Sequence, residues 1–264
     1  MRATHTSETV RTPLTAGPAA TANRRSLGWL AAGLGAAAAA AGGLVAPTDA
    51  VQGQIQRLMY LHVPAAWVGM LAFGVVLAAS VGYLATRDLR WDRCGRAAAE
   101  VGVGATVLAL LVGAGWGRAV WGTWWAWDPR LVSTALLVLA YTGYLALRGA
   151  VGADDGGHPA ARRAAAVGIV AFGLVPVVHY SVVWWRSLHQ QATILGPTRP
   201  PIEPVMGASL VLAALACTGL AGWLFLHRLS RLETVALVDG PGPVPVPVPA
   251  PVAPPEQPVP VGRR

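Results

Sequence analysis

The chain has 264 residues, 54% of them hydrophobic and only 12% charged, with a mean hydropathy of +0.50. That is about half the charged share of a soluble domain, which excludes an ordinary globular fold. The net charge of +8 is carried by arginine alone, and its placement along the chain fits membrane topology rather than nucleic-acid binding. Cys94 and Cys217 are too few and too far apart for a disulfide framework or a zinc site, and no Cys-x-x-Cys-His is present to attach a c-type haem.

In chain order, residues 1–23 are polar and read as a disordered tail. Six apolar segments follow, at roughly 27–46, 64–85, 99–116, 130–148, 164–183 and 206–227, each near the ~20 residues that cross a bilayer. The first is rich in Ala and Gly and follows Arg24 and Arg25. Its length exceeds a signal-peptide core, so it is expected to be a retained span. From Gly240 the chain runs GPGPVPVPVPAPVAPPEQPVPVGRR, which holds ten of the 21 prolines and favours an extended, unpacked tail. The expectation is an all-α integral membrane protein: a six-transmembrane-helix bundle over 24–232, flanked by tails at 1–23 and 233–264.

Arginine placement orients the bundle. With the N-terminus inside, the inner connections hold 15 of the 20 arginines, including Arg87, Arg90, Arg93 and Arg96 in an expected 86–98 loop. The outer side holds Arg57, Arg118, Arg130, Arg186 and Arg199. The positive-inside rule then puts both termini in the cytoplasm of a cell whose cytoplasmic (inner) membrane the chain crosses. Segments 47–63, 117–129 and 184–205 fall on the outer face. Seven of the eleven tryptophans lie on or beside that face.

The most unusual of these segments is 116–133, WGRAVWGTWWAWDPRLVS, with five tryptophans, one Asp and two Arg. Trp121, Trp124 and Trp125 have the i, i+3, i+4 spacing that shares one helical face, with Trp127 off that stripe beside Asp128. A flat aromatic platform beside cations suits a large planar ligand with acidic groups, which is the character of haem. Asp128 followed by Pro129 is also a helix start, with Asp at the N-cap and Pro at the first position. Arg130 in the first turn opposes the helix dipole, so an anionic partner is expected for it. Trp184 and Trp185 add to the same face.

Two histidines suit iron. His62, in LMYLHVPAAW, is expected just above the membrane, with Val63 extended and Pro64 opening the second span. His189, in WWRSLHQQAT, lies beyond Trp185 at similar depth. Together they could hold haem iron from both faces, leaving no open position. His179 lies inside the fifth span and ranks third, as an intramembrane ionisable group. His5, His158 and His227 fall in tails or at cytoplasmic positions.

These residues resemble a known family. WGTWWAWDPRLVS looks like the tryptophan-rich signature of haem-handling proteins of cytochrome c maturation. MYLHVPAAW, HYSVVWWRSLHQ and the six-span length are similar to its haem exporter protein C branch, over roughly residues 52–228. The resemblance implies an outer-face, non-covalent b-type haem with His62 and His189 as axial ligands, cradled from Trp121 to Asp128. It also implies partners: ABC-transporter subunits, a small single-span subunit and a membrane-anchored periplasmic haem chaperone that receives the haem. Pro129, Val132 and Val183 depart from the pattern. Asp-Pro looks more like the branch that joins haem to apocytochrome directly, which makes a synthetase component the alternative function. The outer loops, all under about 25 residues, favour delivery. A generic permease would show tryptophan belts on both faces. No Ser-His-Asp grouping, P-loop or carboxylate pair points to an enzyme.

Overall fold

The computed structural model describes residues 18–149, 157–190 and 202–238. The expected tail up to residue 17, His5, Arg199 and the Pro-rich run from Gly240 lie outside these. Among the described residues the regular structure is helical, apart from one isolated bridge between Asp49 and Gly53. The helices are α1 (Pro18–Ala40), α2 (Met59–Thr86), α3 (Leu89–Trp121), α4 (Pro129–Gly149), α5 (His158–Phe172), α6 (Leu174–Trp184) and α7 (Pro204–Val238). A π-type turn (Ala41–Val45) ends the first span and a 3-10 turn (Gln54–Leu58) leads into α2. Six segments are long and apolar enough to cross a membrane, the fifth being α5 and α6 together.

The helices run further than hydropathy suggests, and α1 begins at Pro18, within the stretch read as tail. Residues 86–98 are not a loop. Arg87 turns the chain in the left-handed region (φ 57), and Asp88 caps α3 by accepting the Arg90 N–H at 2.8 Å. Arg90, Arg93 and Arg96 therefore ride on the opening turns of α3. Hydropathy misses such turns because it scores side chains, whereas a polar helix end is stabilised by its cap and pairings. Asp92, on those turns, is buried and paired with Arg148 at the end of α4.

α2 lies at the centre, packed on α3, α5 and α7. The main core gathers Phe73 and Val76 of α2, Ala98 and Ala99 of α3, Leu137, Tyr141 and Tyr144 of α4, and Ala164 and Ala171 of α5. Phe73 stacks on Tyr141 with ring centroids 3.8 Å apart. α1 packs on α7 through Ala38, Ala213 and Ala216. Lipid offers no hydrophobic drive for helices to associate, so close van der Waals contact between such small residues has to hold them. Arg228 of α7 reaches Glu100 of α3, with Nη2 donating to Oε1 at 2.9 Å.

The fifth span breaks between α5 and α6 at Gly173, whose N–H donates to the Val170 carbonyl at 3.0 Å. Pro176, shortly after, cannot supply the helical N–H that residue 172 would accept. α5 packs on both α2 and α4, and beyond the break α6 continues along α4, where its residues help wall the chamber described next.

Candidate functional site

α3 ends at Trp121 because Gly122 takes the left-handed conformation (φ 78) that glycine adopts without strain. The Gly122 carbonyl accepts from Arg118 Nη1 at 2.5 Å, and Thr123 Oγ1 donates to the Trp125 carbonyl at 2.8 Å. Residues 122–128 are therefore irregular, and the expected helical stripe of Trp121, Trp124 and Trp125 does not form. The i, i+3, i+4 spacing counted side chains across a glycine that ends the helix.

Asp128 both caps and organises. Its Oδ1 accepts the Arg130 N–H at 2.9 Å, starting α4 as the Asp-Pro pair predicts. Its Oδ2 accepts from Ser187 Oγ at 2.8 Å and from the Leu188 N–H at 2.7 Å, and His189 Nδ1 lies 3.1 Å from Oδ1. α6 has ended at Trp184, so residues 185–190 are irregular, and this carboxylate is what ties them down. Burial alone would raise the Asp128 pKa. The donors from Leu188, Ser187 and Arg130 outweigh it and hold the carboxyl below its ordinary value. Burial pushes His189 down to about 4, against the pull of Asp128, so the imidazole is neutral near pH 7.

His62 does not precede its helix. α2 starts at Met59, which puts His62 inside the helix and Pro64 in its second turn rather than at its start. Hydropathy begins the span at Pro64, but the 3-10 turn feeds straight into α2 and carries the helix past it. The seat of His62 is one stripe of α3. Nδ1 is 2.8 Å from the carbonyl oxygen of Ala109. Gly113 lies beneath the ring, where a Cβ would come within 2.7 Å of Cε1. Trp116 meets it edge-on at 5.7 Å. The Trp116 Nε1–H donates to Gln52 Oε1 at 2.7 Å, which fixes the indole.

Both histidines have an oxygen acceptor at Nδ1, so each carries its proton there and leaves the Nε2 lone pair for a ligand. Both line one chamber of about 500 Å³, together with Trp121, Trp125, Arg130 and His179. Trp121 packs edge-on against His189 with centroids 4.9 Å apart. The deeper walls are apolar side chains of α2, α3, α4 and α6. Arg130 Nη2 donates to the His179 carbonyl at 3.2 Å, and Nε reaches the Val178 carbonyl at 3.4 Å. Both acceptors are neutral, and Asp128 acts on the guanidinium only through its charge, without an ion pair. Among the described residues no group of three or more His, Cys, Asp or Glu could hold a metal ion.

The other expected residues lie elsewhere. Trp127 (86% exposed) and Trp124 (64%) point outward, as do Trp184 and Trp185. None of these four lines the chamber. Trp127, Asp128 and Arg186 instead border a shallow depression outside it. His158 is far from the site, its carbonyl accepting from the Tyr83 hydroxyl at 3.0 Å, and His227 stacks on Trp223. Sequence reading passed over Ala109, Gly113, Ser187 and the role of Trp116. The 109–113–116 spacing was visible as a helical stripe. Nothing in the sequence indicated that it would face His62.

Among the described residues, six helical segments long and apolar enough to cross a membrane, four of which line a chamber bearing histidine and tryptophan, define an all-α polytopic membrane protein with one specialised end. Residues 9–236 match the family described as Heme exporter protein C. The chain belongs to that family. It is 41% identical over 174 residues to Heme exporter protein C of Bradyrhizobium diazoefficiens, covering 66% of this chain and 65% of that one. It is 37% identical over 190 residues to Heme exporter protein C of Escherichia coli strain K12, covering 71% and 74%. With Heme exporter protein C of Haemophilus influenzae it shares 37% over 183 residues, covering 69% and 73%. The match to the Bradyrhizobium protein thus spans slightly under two thirds of that protein.

Proposed function

We propose that this chain binds haem at the periplasmic face of the bacterial cytoplasmic membrane and hands it to a membrane-anchored periplasmic haem chaperone for c-type cytochrome assembly. The observation that carries this reading is the pair of imidazoles, His62 and His189, on one chamber with Nδ1 of each tied to an oxygen. The relatives' name, Heme exporter protein C, agrees with it.

The residues suit the cargo. A chamber of about 500 Å³ falls in the size range of small-molecule and cofactor sites. Its apolar walls fit a macrocycle, and Trp121 and Trp125 flank it. Arg130 provides a cation for a propionate, and two neutral Nε2 atoms suit the two axial positions of iron. Haem held this way is b-type, non-covalent and bis-histidine. Asp128 positions His189, while Ala109, Gly113 and Trp116 position His62. The outward tryptophans Trp124, Trp127, Trp184 and Trp185 form the rim that lipid and the chaperone meet.

The chain binds, orients and releases, and contributes no acid–base step. ABC-transporter subunits and a small single-span subunit complete the assembly, and any ATP is used there. Both termini face the cytoplasm, since the connections richest in arginine lie at the end away from the chamber. The test is the optical spectrum of the purified protein co-expressed with its chaperone. A low-spin bis-histidine signal lost in the His62→Ala/His189→Ala double variant supports the reading. A wild type without haem overturns it.

A further inference from the structure

We propose that the two imidazoles are unequal, with His189 the anchoring ligand and His62 the one that lets go first when the haem leaves. This rests on the bis-histidine reading above.

The difference lies in what accepts each Nδ1 proton. For His189 it is the carboxylate of Asp128, at 3.1 Å. A carboxylate behind an imidazole draws the Nδ1 proton and raises the donor strength of Nε2. Asp128 is itself fixed, since it is 5% exposed and accepts from the Arg130 and Leu188 amides and the Ser187 hydroxyl. For His62 the acceptor is the neutral carbonyl of Ala109, at 2.8 Å, in the middle of α3. A hydrogen bond to a neutral acceptor is roughly half as strong as one to an ionised group. It therefore loads less electron density onto Nε2.

The two rings are also held differently. Ser187 and Leu188, the residues just before His189, bind the same carboxylate, so that ligand belongs to a network. His62 rests on bare backbone at Gly113, with one edge contact to Trp116. Release then has a direction. The bond from iron to His62 Nε2 breaks, its electron pair staying on the nitrogen, and the receiving protein's donor atom supplies the pair that replaces it. No net oxidation or reduction occurs. His189 keeps the haem in the chamber until that new bond has formed.

Carbon monoxide tests this, because it binds ferrous bis-histidine haem only after one imidazole leaves, and its stretching frequency reports the ligand that stays. The full-length protein is loaded with haemin, reduced and mixed with carbon monoxide. In Asp128→Asn the frequency shifts from wild type, because His189 is the ligand that stays. In Gly113→Ala, which disturbs only the His62 seat, the frequency is unchanged and carbon monoxide binds about tenfold faster. The reverse pattern, a shift in Gly113→Ala and none in Asp128→Asn, overturns the proposal.

Should either variant fail to load, loss of haemin to a soluble apoglobin decides the matter. His62→Gly loses haemin about tenfold more slowly than His189→Gly, the scale of effect a supporting partner has on a metal ligand. Equal or inverted rates overturn the asymmetry. A wild type that is not six-coordinate and low-spin, by contrast, removes the bis-histidine reading itself.

Discussion

Asp128 starts α4 and, 61 residues further along the chain, orients His189 with Oδ1 and Nδ1 3.1 Å apart. One carboxylate thus joins helix initiation to the geometry of the site. Asp128→Ala removes the cap and leaves the Leu188 amide and Ser187 hydroxyl unpaired. Losing a cap costs about 1 kcal/mol, and the two part-buried donors left without their acceptor add to that loss, less than fully buried ones would because water can reach them. The expected outcome is a lower melting temperature in detergent together with haem loss. Asp128→Asn, which keeps a cap, melts closer to wild type. Equal melting of Asp128→Ala and wild type would remove Asp128 from this structural role.

Gly113→Ala gives a sharper test of the His62 seat. The added methyl would lie 2.7 Å from Cε1 and 3.0 Å from Nδ1 of the imidazole. The ring has to shift and give up its bond to the Ala109 carbonyl. Gly115, two residues on, has nothing within 4 Å of where a Cβ would stand, so Gly115→Ala is the control. Gly113→Ala is expected to move the haem spectrum toward high spin, and Gly115→Ala to leave it as in wild type. Identical spectra for the two variants would mean that the ring is not seated on α3.

How far the sequence could go is clear from these residues. Apolar length gave six spans, because crossing a bilayer sets a length that composition reveals directly. Asp128-Pro129 gave the start of α4, because capping is local chemistry. The i, i+3, i+4 spacing of Trp121, Trp124 and Trp125 makes no stripe, because Gly122 ends the helix between them and residue spacing carries no information about a stop. Pro64 suggests a helix start after His62, but proline is also tolerated within the first turns, and α2 begins at Met59. Pairings such as Asp128 with Ser187, or His62 with Ala109, are long-range, and no local pattern encodes them.

Acid should act through His189 before it acts through Asp128. Burial lowers the His189 pKa from 6.5 to about 4, so between those values the unfolded chain binds a proton that the folded chain refuses. The neutral ring's contribution is complete above pH 6.5 and declines as pH falls toward 4. The slope is at most about 1.4 kcal/mol per pH unit for one proton. Asp128, held below its ordinary value, adds a loss at still lower pH. Melting temperatures of the haem-free protein should be flat above pH 7 and drop below pH 6, with the drop reduced in His189→Gln. An identical pH profile in that variant would assign the acid sensitivity to another group.

The tryptophans divide by position. Trp121 and Trp125 line the chamber, while Trp124 and Trp127 stand largely exposed. Trp125→Ala opens one wall and is expected to lower haem content several-fold in purified protein. Trp127→Ala leaves the chamber intact, so haem content stays near wild type. If its ring serves the rim, haem transfer to the chaperone slows in that variant. Equal haem loss from both would return the platform to a single aromatic surface, as the sequence spacing alone suggested.

Which side of the membrane this end faces can be read by chemistry that does not involve haem. Leu188 is 54% exposed and lies beside the Asp128 network, whereas Arg90 sits at the opposite end of the bundle, on the first turn of α3. Cys94 and Cys217 are both free and half-buried, so they are replaced first to leave a silent background. Single cysteines at 188 and 90 are then exposed in whole cells to a maleimide that cannot cross the cytoplasmic membrane. The arginine count places position 90 inside, so only the cysteine at 188 should react until the membrane is opened. Labelling at 90 in intact cells would invert the topology. It would then place the chamber on the cytoplasmic side, where a periplasmic chaperone could not reach it, and the delivery reading would fall whatever the haem spectra showed.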